Sequence, residues 1–408
     1  MPADTIGDRS GTAYGRPTQT HDPEITETGP GTPCGELMRR YWHPIEMSER
    51  LGERPVKVRV LGEDLILFRD ASGSPGLITP RCIHRGAPME FGKIEKRGIR
   101  CPYHGWLFDT AGRCLEQPCE ITDKPGFREK CRQPWYPVEE RYGLVFAYLG
   151  PPDRMPELPR WAPFENLSPD EKIVPDAASY SVGGDDTAEI IPWNWLQDWE
   201  NTMDPFHVVI LHTAFSGPQF NPDMAVMPDV DWHDTPLGLQ YTAHRTFPDG
   251  REMDRITHVM FPNLRSVPNI ELSEGVSESM GWLVPIDDTH HRTFHITRMP
   301  RDFKGVPMVT APILEKNGPT CPTMSAGSCR AIGKSRKARG QSLYIVKSSW
   351  VPATQAYPCF DASSVNRFMS FSMGAILSVY FSKNPLRHSI SAQATSTFLD
   401  RNIVVERL

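Results

Sequence analysis

No apolar run in this 408-residue chain approaches the ~20 residues a membrane-crossing helix needs. Its first residues, MPADTIGDRSGTAYGRP, lack a basic patch followed by an apolar core. No secretory leader is read there, and residues 1–24 are taken as a disordered lead-in. Without an export signal the expected compartment is the cytoplasm, where thiols stay reduced. The nine cysteines then read as metal ligands or plain thiols sooner than as disulfides. A basic excess is missing as well: 44 Lys+Arg stand against 50 Asp+Glu, so nothing points to nucleic acid. What is present suits a globular protein of two to three units, with 39% hydrophobic and 23% charged residues.

The charge is unevenly spread. Residues 311–408 hold 12 Lys+Arg and 4 Asp+Glu, whereas the first 310 hold 32 and 46. The character of the chain changes near residue 310.

From Val56 onward the chain reads as short strands closed by turn residues: VKVRVLG, DLILFRD, then GLITP after the Ser72-Gly73 loop. This predicts a small all-β domain. Two loops follow, RCIHRGAPM (81–89) and CPYHGWLFDTAGRC (101–114). Each offers one thiol and one imidazole: Cys82 with His84, and Cys101 with His104. A Rieske [2Fe–2S] centre replaces two thiolates on one iron by imidazoles and needs that donor set. The 16 residues between His84 and Cys101 allow a strand out and a strand back. A Cys2His2 zinc site is the alternative, although zinc fingers pair Cys with Cys and His with His. Cys114, Cys119 and Cys131 are read as ordinary thiols.

A Pro-rich linker (151–163) closes this first domain, drawn as 25–150. Next comes NWLQDWENTMDPFHVVILHTAF (194–215), with Asn201, Asp204 and His207 at i+3 spacing on one face of a helix. His212 lies five residues past His207, about 140° round an ideal helix, so both imidazoles reach one metal only if the helix widens or breaks. Pro205 makes an irregularity reasonable. Two His and one carboxylate form the facial triad of mononuclear non-haem Fe(II). Asp204 has a second reading, as a helix cap. Trp193, Trp195 and Trp199 read as core. Residues 225–300, with runs such as GLQYTAHRTF and HRTFHITRM, predict an antiparallel sheet under the iron helix. His244, His258, His290, His291 and His295 are taken as packing or surface residues.

The two cluster boxes and D-P-x-H-x4-H resemble those of Rieske ring-hydroxylating oxygenases. PGTPCGELMRRYWHP (30–44), LGEDLILFRD and HITRMPRDF are similar more closely to phthalate 4,5-dioxygenase-type oxygenase subunits, over roughly residues 25–310. The boxes lack the extra cysteine pair of respiratory Rieske proteins, which favours the oxygenase type. The resemblance implies an α+β chain: an all-β Rieske domain, then a helix-grip catalytic domain (164–310) with an antiparallel sheet. It implies Cys82, His84, Cys101 and His104 on the cluster, and His207 and His212 on a mononuclear Fe(II). Asp204, with Asn201 nearby, would bridge the cluster of a neighbouring subunit to His207 in a homotrimer. A separate reductase of flavin or ferredoxin type would supply electrons, since the chain shows no flavin or nicotinamide fingerprint. O2 and a small aromatic substrate, carboxylated in phthalate-type enzymes, would meet at the second iron.

The family pattern stops at the tail. A C-terminal helix should supply the third iron ligand within segments like PGDWEAQ, HSEEHL and LRRLL, and residues 311–408 contain none of them. Reverse translation of 317–364 in another frame permits PGDWE, then HSEELLGSSD and LRRLL. This predicts a one-base slip near residues 309–311, with the missing aspartate falling across the codons of Ala331 and Ile332. A genuine divergent tail, with Asp361 as carboxylate, is the alternative. The corresponding functional alternative is a catalytically inactive Rieske electron-transfer protein.

Overall fold

A computed structural model describes residues 21–120, 126–178, 189–212, 222–267 and 279–302. The chain enters through two short helices, α1 (Pro23–Thr26) and α2 (Pro33–Met38), capped by Asp22 and Thr32. Helix α1 begins inside the stretch read from sequence as a disordered lead-in. Asp22 accepts the N–H of Glu24 and Pro23 occupies the first turn, which favours a helix start there.

Eleven strands build the first half: β1 (Trp42–Met47), β2 (Val56–Val60), β3 (Glu63–Arg69), β4 (Pro75–Ile78), β5 (Lys93–Glu95), β6 (Gly98–Arg100), β7 (Leu107–Phe108), β8 (Cys114–Glu116), β9 (Trp135–Tyr136), β10 (Val138–Arg141) and β11 (Leu144–Tyr148). Helix α3 (Phe127–Lys130) precedes β9. The strands form three small sheets, ordered β2-β3-β4-β9, β5-β6-β7-β8 and β1-β11-β10. Leu61 and Gly62 turn β2 into β3 with φ of 47° and 79°, both left-handed as a tight two-residue hairpin requires. The first metal box leads from β4 into β5, the second joins β6 to β7, and a separate small core around Phe68, Met89, Ile99, Trp106 and Phe108 backs them.

After α4 (Ala162–Glu165) the second half forms one antiparallel sheet. Its strands are β12 (Glu171–Ala178), β13 (Asp229–Thr235), β14 (Gly238–Thr246), β15 (Glu252–Met260), β16 (Leu264–Ser266), β17 (Ser279–Asp287) and β18 (His290–Pro300), in the order β12-β18-β17-β16-β15-β14-β13. Strand β17 is buried along nearly its whole length because both faces are covered. Trp282 packs edge-on against Phe146 of the cluster half at 5.5 Å, and the opposite face receives α5 (Trp195–Thr202). Strands β13 and β15 alternate in burial, as sheets with one wet face do.

Helix α5 is fixed at three points. Asn194 caps it through Leu196 N–H at 3.0 Å, and its amide donates to the carbonyls of Thr26 and Asp288 at 2.9 and 2.8 Å. Trp195, Leu196 and Trp199 bury the inner stripe, and Trp199 Nε1 donates to Leu264 O at 3.1 Å. Asp198 meets His291 of β18 at 3.2 Å, both fully enclosed, while the other ring nitrogen of His291 meets Trp193 O at 2.9 Å. His291 and His295 are thus buried packing residues, whereas His244 and His290 lie nearer the surface against Asp254 and Asp287.

Asn201, Asp204 and His207 do not share one continuous helix: α5 ends at Thr202, and α6 (Phe206–Ile210) starts anew after Pro205.

Candidate iron centres

The two cluster loops close by the same pattern. Cys82 N–H donates to Ala87 O at 2.9 Å and Gly86 N–H to Cys82 O at 2.8 Å; Cys101 N–H donates to Trp106 O at 2.8 Å and Gly105 N–H to Cys101 O at 3.2 Å. Gly86 and Gly105 stand at φ of 70° and 71°, a left-handed turn that glycine adopts without strain. The loops face each other. The His84 and His104 rings lie 4.6 Å apart, and Trp106 stacks flat on His84 at 4.5 Å. Both cysteines are buried, and burial first, then the neighbouring Cys101 thiol, pushes the Cys82 pKa up to about 11 against a backbone N–H that lowers it. Two thiols pressed together in a dry site ionise readily only when a cation lies between them. His84 Nδ1 is buried with no hydrogen-bond partner, while Nε2 faces outward, 3.9 Å from Glu120. The donor set fits a cluster with thiolates inside and imidazoles at the surface edge.

The support of the first loop was not legible in the sequence. Gln133, fully buried some fifty residues downstream, accepts Ile83 N–H at 3.0 Å and donates to the carbonyls of Thr79 and Arg81 at 3.1 and 2.8 Å. A lone Gln outside any box carries no motif. Arg100 holds the second loop by donating to Gly105 O at 2.6 Å while paired with Glu95 and Glu116. All six cysteines among the described residues are free thiols, including Cys114, Cys119 and Cys131.

The second site forms where α6 ends. Past α6 the backbone widens into a π turn at Leu211 and His212. The rings of His207 and His212 meet at 5.2 Å with an interplanar angle of 64°. Asp204, in the break between α5 and α6, does two things at once. Its Oδ1 accepts the N–H groups of Phe206 and His207 at 3.0 and 3.2 Å, and its Oδ2 lies 3.7 Å from His207 Nδ1. Burial raises the Asp204 pKa, but His207 and the two backbone donors outweigh it and leave it below the ordinary value. Asn201 Nδ2 is 3.4 Å from His207 Nε2. A carboxylate behind one ring nitrogen leaves the other for a metal, the usual setting of a metal-binding histidine. Among the described residues no three His, Cys, Asp or Glu side chains converge on a single ion position. Ala331, Ile332 and Asp361, where sequence reading places a third ligand, lie outside the described residues.

A cluster-binding β domain joined to an antiparallel sheet that carries a two-histidine helix defines a two-centre iron oxygenase. The Rieske [2Fe-2S] domain family matches residues 41–127. Phenoxybenzoate dioxygenase subunit alpha of Ectopseudomonas oleovorans is 47% identical over 303 residues, 73% of this chain and 74% of that protein. The phthalate 4,5-dioxygenase oxygenase subunit of Pseudomonas putida is 31% identical over 278 residues, covering 63% of this chain and 59% of that one. The solved structure of dicamba monooxygenase bound to dicamba shares the fold, with a TM-score of 0.59 at 17% identity over 85% of this chain and 99% of that one. The chain belongs to the Rieske non-haem iron aromatic ring-hydroxylating oxygenases, as an alpha (oxygenase) subunit. Its cofactors are a [2Fe–2S] cluster and the mononuclear non-haem iron of that family.

Proposed function

We propose that this chain is the oxygenase component of a multicomponent system that hydroxylates an aromatic carboxylic acid, using O2 and electrons from a separate reductase. The observation that carries the reading is the meeting of the His207 and His212 rings at 5.2 Å, with Asp204 behind His207. A chain that only carried electrons would need no such pair. Support for an aromatic acid comes from the relatives, named for phenoxybenzoate and phthalate.

When bound, the cluster supplies electrons one at a time and the mononuclear iron supplies O2 activation. Cys82, His84, Cys101 and His104 hold the cluster, and His207 and His212 the iron. Asp204 lies 3.7 Å from His207 Nδ1, which has no hydrogen-bond partner of its own, and would bridge from there to a cluster histidine of a neighbouring subunit in a homotrimer. The exposed side of His84 and the exposed Tyr103 and Ile83 around the cluster edge suit that docking. No described helix is long and apolar enough to cross a membrane. The free thiols support a cytoplasmic, reducing setting. The domain limits follow the sequence reading (25–150, linker 151–163, catalytic domain 164–310, and 311–408 as a tail in a slipped frame), except that the first domain takes in α1 from Pro23.

The test is turnover of phenoxybenzoate and phthalate by the iron-loaded protein, its frame restored beyond residue 310, with NADH and a partner reductase. Hydroxylated product coupled to cluster reoxidation is expected. A cluster that is reduced normally, in protein with mononuclear iron in place and no product from any aromatic acid, overturns the reading in favour of an electron carrier.

A further inference from the structure

The sheet face that receives α5 and α6 carries two buried arginines in adjacent strands. Tyr241, Ala243 and Arg245 of β14 lie opposite Thr257, Arg255 and Met253 of β15, so the two arginines occupy diagonally neighbouring positions beside the small Ala243. Arg245 is 2% exposed and Arg255 8%. Among the described residues neither meets a carboxylate. Arg245 Nε donates to Val226 O at 2.9 Å, and Arg255 Nη1 donates to the Tyr241 hydroxyl at 3.4 Å. Arg245 Nη1, Arg255 Nε and Thr257 Oγ1 are buried with no partner at all.

That arrangement is costly as it stands. Burial, then the charge of Arg255, lowers the pKa of Arg245. Folded proteins compensate buried charges by pairing them, and two like charges side by side need an anion more than one does. The free groups also define the anion. Arginine can only donate, and the Tyr241 oxygen accepts from Arg255, which leaves its proton to give. A ligand that only accepts, through two oxygens, matches several convergent donors; a carboxylate is such a ligand.

The position ties this cradle to the second iron site. Tyr241 is the cross-strand neighbour of Trp232 on β13, and Phe206 packs its ring on Trp232 at 6.2 Å. Phe206 directly precedes His207 in α6.

We propose that Arg245 and Arg255, completed by the hydroxyl groups of Tyr241 and Thr257, bind the carboxylate of the aromatic substrate and so select acids over neutral aromatics. This rests on the oxygenase reading above and assigns residues to its substrate preference. The carboxylate comes from the free acid; an acidic side chain of the chain itself is the other source, and the test separates them.

The experiment measures dissociation constants of the full-length protein for phenoxybenzoate and for diphenyl ether, the same frame without its carboxyl, in wild type, R245Q, R255Q and R255K. Thermal midpoints with and without ligand, and the visible spectrum of the Rieske cluster, are recorded alongside. Wild type is expected to prefer the acid. Each Gln variant should cut the acid-to-ether preference on the order of 10- to 100-fold, the loss of charge-assisted hydrogen bonds, with R255K between. The ligand-free midpoint should hold or rise in the Gln variants, because a buried like-charge pair has been relieved, and the midpoint gain from phenoxybenzoate should shrink. An unchanged preference in both Gln variants overturns the proposal. So does a lowered ligand-free midpoint without loss of preference, which would mean an internal carboxylate already pairs with them. Wild type with no preference for the acid overturns it too. If that wild type nonetheless turns over the neutral ether with reductase, the oxygenase reading stands without this anchor; if it turns over neither, both fall.

Discussion

Asp204 shows how much one side chain can be asked to do. The two sequence readings of it, bridge and helix cap, are not rivals, because a carboxylate has two oxygens. One caps α6 and the other faces His207. Substitution can separate the roles. Asp204→Asn keeps an oxygen for the cap, so thermal stability should stay within about 0.5 kcal/mol of wild type, while Asp204→Ala should lose ~1 kcal/mol. Both should lower turnover by orders of magnitude with normal cluster reduction, if the carboxylate links the two centres; stopped-flow reoxidation of the cluster reads this directly. Wild-type reoxidation rates in Asp204→Asn would remove the bridging role. Gln133 is the opposite case, a residue with no motif and four polar contacts, two in the first cluster loop and two to Thr79 just before it. Gln133→Leu leaves buried backbone groups unpaired and should cost about 2–4 kcal/mol, seen as early loss of the cluster's visible absorption on heating. Loss at the wild-type temperature would show the loop holds without it.

At the scale of elements, backbone register explains positions that composition leaves silent. Gly98 opens β6 at φ 147°, and a Cβ there would meet Phe108 O at 1.9 Å. Gly98→Ala should therefore push β6 from β7 and destabilise the cluster sheet by at least ~2 kcal/mol, with guanidinium titration of the cluster signal as the readout. Edge strand β12 is clasped by Glu171, which receives Arg298 of β18 at 2.9 and 2.7 Å. Arg298, then the Ser168 backbone, hold the Glu171 pKa down to about 2, below its ordinary 4.5. A depressed carboxyl pKa stabilises fully above the unfolded value and loses that contribution as pH falls through the folded one. The gap in urea midpoint between wild type and Glu171→Gln should therefore be widest above pH ~4.5 and close toward pH ~2. A gap independent of pH would assign the effect to packing instead. The sequence did announce the break after Met203 through Pro205, and the five-residue spacing of the histidines demanded a widened turn; both are present. Continuity is where structure and sequence part: i+3 spacing predicts one helix, yet Asp204 stands in the gap between α5 and α6.

At the scale of the whole molecule, the cluster half and the catalytic sheet share a continuous core that runs from Val60 and Phe146 to Trp282 and Trp199. The entry segment crosses from one to the other, with Thr28 N–H donating to Asp288 at 2.8 Å. The tail decides whether the assembled molecule works. If residues 311–408 are in a slipped frame, protein made as written should hold about two irons per chain, those of the cluster, and a restored frame about three. Resequencing codons 300–365, with iron analysis of both proteins, checks it. Three irons in the chain as written would mean its own tail, Asp361 included, completes the site.

The residues proposed here for the cluster and the second iron stand out in the sequence because metal chemistry fixes donor type and local spacing, and both operate within a few residues. The antiparallel sheet at 225–300 was readable because its exposed strands alternate. Tertiary structure alone decided what depends on distant segments meeting: Gln133 beneath the first loop, Asp198 against His291, and Arg245 beside Arg255 on one inner face. No local spacing encodes those meetings, because they follow from strand register and from which face of the sheet the helices cover.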